Sequence, residues 1–156
     1  MKISTVLVPT DFSESSFHAV RFGLAVAQRF QARLHVLHVT REMVFYMPAF
    51  GGYCPSQDEY AAAATTFLDA TIDGLKTQGT EVTTEHRFGQ PGEIIVQSAR
   101  QLTSPLIILD GHDTGLLART LSRSVSSYVV AHAECPVMTI PDALLSTPSA
   151  ANAAAP

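Results

Sequence analysis

Apolar positions along the chain recur with two periods, and the changes from one to the other divide the sequence into strands and helices. Ser4 to Pro9 is a β-branched run that predicts a first strand. After a loop at Thr10 to Ser13, the spacing of Phe17, Val20, Leu24 and Ala27 predicts a helix with one buried face, for which Asp11 and Ser13 both suit the N-cap. Ala32 to Val39 is short and apolar enough for a strand covered on both faces. Residues 40–58 contain Pro48, Gly51, Gly52 and Pro55 and read as an irregular excursion, of a length common in lids and interaction loops. A second helix is expected from Glu59 to Gln78 on Ala61, Ala64, Leu68, Ile72 and Leu75, closed by Gly79.

Glu81 to Arg87 alternates Val82, Thr84 and His86 with other residues and predicts a third strand. Phe88 to Pro91 turns the chain into a third helix, Gly92 to Leu102, carrying Ile94, Ile95, Ala99 and Leu102. Leu106 to Leu109 is a fourth, buried strand, and a polar loop from Asp110 to Gly115 leads to a fourth helix that includes Ser124 and Val125 and ends near Ala131. Val137 to Ile140 closes the series as a fifth strand. Five strands alternating with four helices predict an α/β fold with an open, doubly wound parallel sheet, because parallel neighbours need right-handed crossovers.

Composition narrows the class of protein. With 156 residues, 46% hydrophobic and 15% charged, the chain suits one domain over residues 1–141. Residues 142–156 are mostly Ala, Ser, Pro and Asn, with too little apolar bulk to offset ordering entropy, and are expected to be a disordered tail. The net charge is -4 and the ten basic residues are scattered, which argues against nucleic acid as a partner. No apolar run approaches the roughly 20 residues of a membrane span, and the first residues lack a signal peptide's layout, so a cytoplasmic protein is expected. Cys54 and Cys135 match no metal spacing, and Cys135 beside Pro136 reads as a small buried apolar residue. His35 and His38 fall on opposite faces of their strand and cannot share a metal, so no metal site is expected.

Four separate segments carry a family resemblance. V-P-T-D-F-S at Val8 to Ser13, L-H-V at Leu37 to Val39, F-G-Q-P at Phe88 to Pro91 and H-A-x-C-P-V at His132 to Val137 occur in order. Together they resemble the universal stress protein family over Ile3 to Ile140. The resemblance implies a site for an adenine nucleotide, with Pro9, Thr10, Asp11 and Val39 beside base and ribose and Gly111, His112, Ser124 and Val125 beside phosphate. Asp11 has a second reading, as the helix N-cap. The last strand, Val137 to Ile140, is implied as the twofold contact of a homodimer.

Nucleotide-binding members of that family carry G-x-x-G-x9-G-[ST] after the fourth strand. An ungapped alignment on His112 and Ser124-Val125 puts Asp110, Asp113 and Arg123 on the three glycine positions. Backbone N–H groups must approach phosphate oxygens with no Cβ in the way, so side chains at these positions oppose a phosphate cradle. Each carboxylate about 4 Å from a phosphate charge costs roughly 4 kcal/mol at an effective dielectric near 20. Arg123 has two readings: a salt bridge to Asp113 or Asp110 that occupies the phosphate site, or solvation of a helix face together with Arg119.

His112 lies beside Asp113, but no nucleophile with an orienting partner accompanies it, so no catalytic residue is assigned. Met43, Phe45, Tyr46, Met47 and Phe50 form an apolar group in the excursion, suited to a partner surface or to packing over the sheet. The expected function is a non-enzymatic, dimeric stress-response module with an unidentified protein partner and no cofactor. The alternative is an ATP- or AMP-binding switch, or slow ATPase, using a shifted Gly111 to Gly115 loop with Ser124.

Overall fold

The computed structural model describes residues 2–41, 56–75, 77–110 and 125–141. Five strands, β1 (Thr5–Thr10), β2 (Arg33–Thr40), β3 (Val82–Phe88), β4 (Pro105–Asp110) and β5 (Val137–Ile140), form one parallel sheet in the order β3-β2-β1-β4-β5. Helices α1 (Glu14–Phe30), α2 (Gln57–Asp73), α3 (Pro91–Gln101) and α4 (Val125–His132) connect them. The open, doubly wound α/β sheet expected from the alternation is therefore the fold.

Alternating strand residues feed two apolar cores. Val6, Val8, Leu34, Val36, Leu106, Ile108 and Ile140 pack with Ala19, Val20, Leu24 and Leu68 of α1 and α2. Leu7, Leu37, Ile107 and Leu109 point the other way and pack with Ile94, Ile95 and Ala99 of α3 and Val129 of α4. Leu7, Leu34, Leu37, Ile107 and Ile108 are fully buried, each contributing about 1.5–3 kcal/mol of transfer free energy.

Most element boundaries fall within a residue or two of the pattern, and the exceptions have local causes. Helix α2 begins at Gln57, because Ser56 and Glu59 form a capping box: the Ser56 side chain accepts from Glu59 N, and the Glu59 carboxylate accepts from Ser56 N at 2.7 Å. It ends at Asp73, short of the expected Gln78. Gly79 does not close the helix; with φ +83° it serves the turn before β3, following Gln78 at φ 49°. Helix α1 is capped by Ser13, whose hydroxyl accepts from Ser16 N, and Asp11 is not the N-cap. Asp110, expected to open a loop, is the last residue of β4 and is paired in register with Ile140. Cys135 is only partly buried, and its thiol pKa is raised by burial and by the charge of Glu134.

The two sheet edges differ in chemistry. Edge strand β3 carries Glu85, His86 and Arg87 and follows Glu81, whereas edge strand β5 is Val-Met-Thr-Ile with no charge. Met138 on β5 remains 40% exposed.

Helix α1 lies close against β1 at Gly23, where a Cβ would overlap Cγ2 of Val8. Valine is stiff at χ1 and cannot swing aside. Gly23→Ala gains about 1 kcal/mol in helix propensity but overpacks the core by about 1–3 kcal/mol. A lower urea midpoint is expected, corresponding to a net loss of up to about 2 kcal/mol.

Candidate functional site

Strand β1 lies at the centre of the sheet, with the chain winding outward from it on both sides. All six residues of β1 are in register with β2, from Thr5↔Arg33 to Thr10↔His38. Against β4 the register stops at Leu7↔Ile107. The chain leaving β1 turns to α1 on one face, and the chain leaving β4 leads toward α4 on the other, so the two strands part at their carboxyl ends. Ligands of open α/β sheets bind in such a crevice.

Hydroxyl and carboxylate groups line the described part of this crevice. Asp11 Oδ1 accepts from Ser13 N at 2.9 Å, an Asx turn that sets up the Ser13 cap. Ser16 Oγ donates to the Ser13 carbonyl, so the Thr10 hydroxyl donates to Ser16 Oγ at 2.9 Å and accepts from Phe12 N. Ser15 Oγ donates to Asp110 Oδ2 at 3.1 Å, which leaves the Ser13 hydroxyl as donor to Ser15 at 3.1 Å. A chain of hydroxyls thus ties α1 to the end of β4. Burial raises the pKa of Asp11, but hydrogen bonds from Ser13 and Ser16 and from backbone N–H groups outweigh it and leave the carboxyl below its ordinary value.

The expected site residues divide among several places. Thr10 is buried with its hydroxyl engaged inside the loop, Asp11 sits at the mouth of the crevice, and Pro9 is half-buried in β1. Val39 and Val125 both pack at the margin of the core beneath α3 and α4. Gly111, His112, Asp113, Gly115, Arg119, Arg123 and Ser124 lie outside the described residues, as do Cys54, the aromatic group of the excursion and the tail from 142. Among the described residues no group of three or more His, Cys, Asp and Glu side chains could hold a metal, and no helix is long and apolar enough to cross a membrane. A groove of about 400 Å³ between α1 and α2, lined by Phe17, His18, Arg21 and Leu75, includes none of the expected site residues.

Beside the crevice, one rung across three strands aligns Thr10, His38 and His86. His38 Nδ1 donates to the Thr10 carbonyl at 2.7 Å, and the Thr40 hydroxyl lies 3.3 Å from His38 Nε2 and 2.9 Å from His86 Nε2. Phe12, in a left-handed conformation at φ 66°, stacks on His38 with ring centroids 4.1 Å apart and meets Phe67 of α2 edge-on. His86 stacks beyond His38 at 5.6 Å and meets the edge of Phe88. Histidines one rung apart are invisible in a sequence until the strand register is known.

On the opposite face, His35 is nearly buried between Thr83 and Glu85, at 2.8 and 2.9 Å. Arg87 reaches Ser98 of α3, which also donates to Glu85. As the alternation requires, His35 and His38 belong to different clusters.

An open, doubly wound α/β domain with a polar crevice at its switch point is the class of protein that this geometry defines. The universal stress protein family profile matches residues 2–141, and the chain belongs to that family. The universal stress protein MJ0531 of Methanocaldococcus jannaschii is 26% identical over 136 residues, covering 86% of this chain and 80% of its own. Among solved structures, the universal stress protein UspA from Lactobacillus plantarum is 28% identical with a TM-score of 0.65, covering 90% of this chain and 99% of its own. A universal stress protein in complex with cAMP has a TM-score of 0.69 at 22% identity, covering 90% of this chain and 98% of its own, a likeness of fold.

Burial and the charge of His38 hold the pKa of His86 below the ordinary histidine value. The unfolded chain therefore binds this proton first as pH falls, and folding stability is full above about pH 6.5 and declines below it until the folded-state value is passed. Denaturation at pH 7.5 and 5.5 is expected to give a lower midpoint at 5.5, with a smaller difference in His86→Gln.

Proposed function

We propose that the protein is a non-enzymatic, homodimeric stress-response module in which the family's nucleotide crevice survives without its triphosphate grip. The observation that carries this reading is Asp110. In the ungapped alignment it takes the place of the motif's first glycine, and its carboxylate accepts from Ser15 Oγ in the crevice. Thr10 to Ser16 and Asp110 together bring Asp11, Glu14 and Asp110 as their charged groups, with no cation among them. Asp113 and Arg123, on the other two glycine positions, complete the substitution, and Arg123 is proposed to pair with one of the aspartates. Pro9, Thr10, Asp11 and Val39 are left to receive an adenosine or monophosphate edge weakly. The cAMP bound by the fold neighbour fits this preference for a small phosphate load.

Strand β5 is proposed as the dimer contact. An uncharged edge is a template for pairing with a second strand, whereas charges on β3 discourage it. Twofold pairing of β5 with its own copy gives a closed, self-complementary interface.

Calorimetric titration with ATP and AMP, with and without magnesium, tests the ligand reading. ATP binding no tighter than millimolar is expected for the wild type, with at least tenfold tighter binding in Asp110→Gly combined with Arg123→Gly. Micromolar binding of ATP by the wild type, or its steady hydrolysis, would favour the switch that uses Gly111 to Gly115 and Ser124. Sedimentation tests the assembly: a dimer at micromolar concentration is expected, and Met138→Lys is expected to sediment as a monomer. A monomeric wild type would remove β5 as the contact.

A further inference from the structure

Between the crevice and the sheet edge lie two histidines for which the nucleotide reading has no use. Because His38 Nδ1 donates its hydrogen to the Thr10 carbonyl, the neutral ring presents a lone pair at Nε2. The Thr40 hydroxyl fills it as donor, and the same oxygen then accepts from His86 Nε2–H. The hydrogen bonds run in one direction, from His86 through Thr40 and His38 to the main chain of the β1–α1 loop.

We propose that His38, Thr40 and His86 form a proton relay that stores a single positive charge against the β1–α1 loop and tightens that loop under mild acid. One proton enters at His86 Nδ1. The Nε2 proton of His86 passes to the Thr40 oxygen, and the Thr40 proton passes to His38 Nε2. His86 ends neutral with its hydrogen on Nδ1, Thr40 again carries one hydrogen and now donates to His86, and His38 becomes an imidazolium. The two hydrogen bonds of Thr40 are remade in the reverse sense, the bond from His38 Nδ1–H to the Thr10 carbonyl is kept, and the count rises by one proton.

The charge arrives where the loop is ready for it. His38 Nδ1–H already points at the Thr10 carbonyl, a bond that strengthens when its donor is cationic. The ring of Phe12 lies over His38 at 4.1 Å, a cation–π contact once the imidazole is charged. Phe12 holds a left-handed backbone that a bulky side chain rarely adopts, so the stack sets the loop's shape. A second proton is opposed by the first, since the charge of His38 disfavours a charge on His86 5.6 Å away. The other charged groups nearby are engaged: Asp69 of α2 accepts from Thr84, Asp11 accepts from Ser13 N, and Arg87 is turned to the opposite face toward Ser98.

Proton and nitrogen NMR of the histidine rings on the full, ligand-free chain between pH 4 and 8 tests the relay. The pair is expected to titrate in two separate steps, with the upper step reported by both rings and by the Phe12 and Thr10 amides. In Thr40→Val the upper step is expected at a single ring, whereas Thr40→Ser retains the shared step. Two independent one-proton curves in the wild type, or Phe12 and Thr10 amides that do not respond to the upper step, would overturn the proposal. The wild-type curves decide the matter even if the valine variant fails to fold.

Discussion

Parallel strands cannot stay paired once their chains must leave for opposite faces of the sheet, and the structure turns on this constraint. Register between β1 and β4 ends at Leu7↔Ile107, although β1 continues to Thr10 and β4 to Asp110. The residues past that point have main-chain groups facing a gap, and the start of α1 supplies the hydroxyls that bridge it. Ser13 caps the helix, and Ser15 crosses to Asp110. Fold and crevice have a single cause.

That crevice is polar without being vacant of partners. The hydroxyl hydrogens of Thr10, Ser13, Ser15 and Ser16 all have acceptors within the loop, the first turn of α1 and β4. A ligand therefore competes with bonds already made, and each is worth roughly 0.5–1.5 kcal/mol net. On the far side of the sheet, the His35, Glu85, Arg87 and Ser98 network gives β3 polar cover from α3 where no other described helix lies over it. Partly exposed ion pairs of this kind contribute little stability each, but they keep an edge strand soluble.

Periodicity in the sequence was enough to read the architecture, because each strand alternates between two cores and each helix shows one of them a stripe. Helix α2 shows where that reading fails. Ala61, Ala64 and Leu68 announce a helix, but its start depends on a capping box and its end on a turn, and apolar Leu75 carries the pattern past Asp73, the last helical residue. The pattern put Thr10 and Asp11 just past the first strand; Thr10 is instead the last residue of β1, and Asp110, expected to open a loop, is the last of β4. The rung of Thr10, His38 and His86 was not legible, since it depends on the register of three strands separated by long connections. The same is true of Ser15, whose partner lies 95 residues away.

The unequal edges of the sheet limit how many copies can add to one another. A sheet with two bare edges can grow by strand addition at both ends, and each new copy exposes another edge like the one it covered. Here one end presents glutamate, histidine and arginine, and only the other is apolar and uncharged. Joining two such sheets through β5 uses the permissive edge of both and leaves charged strands at the two outer ends. Under the proposed β5 contact, growth by that route would stop at a pair, and the limit would be set by the charge of β3, a strand outside the contact.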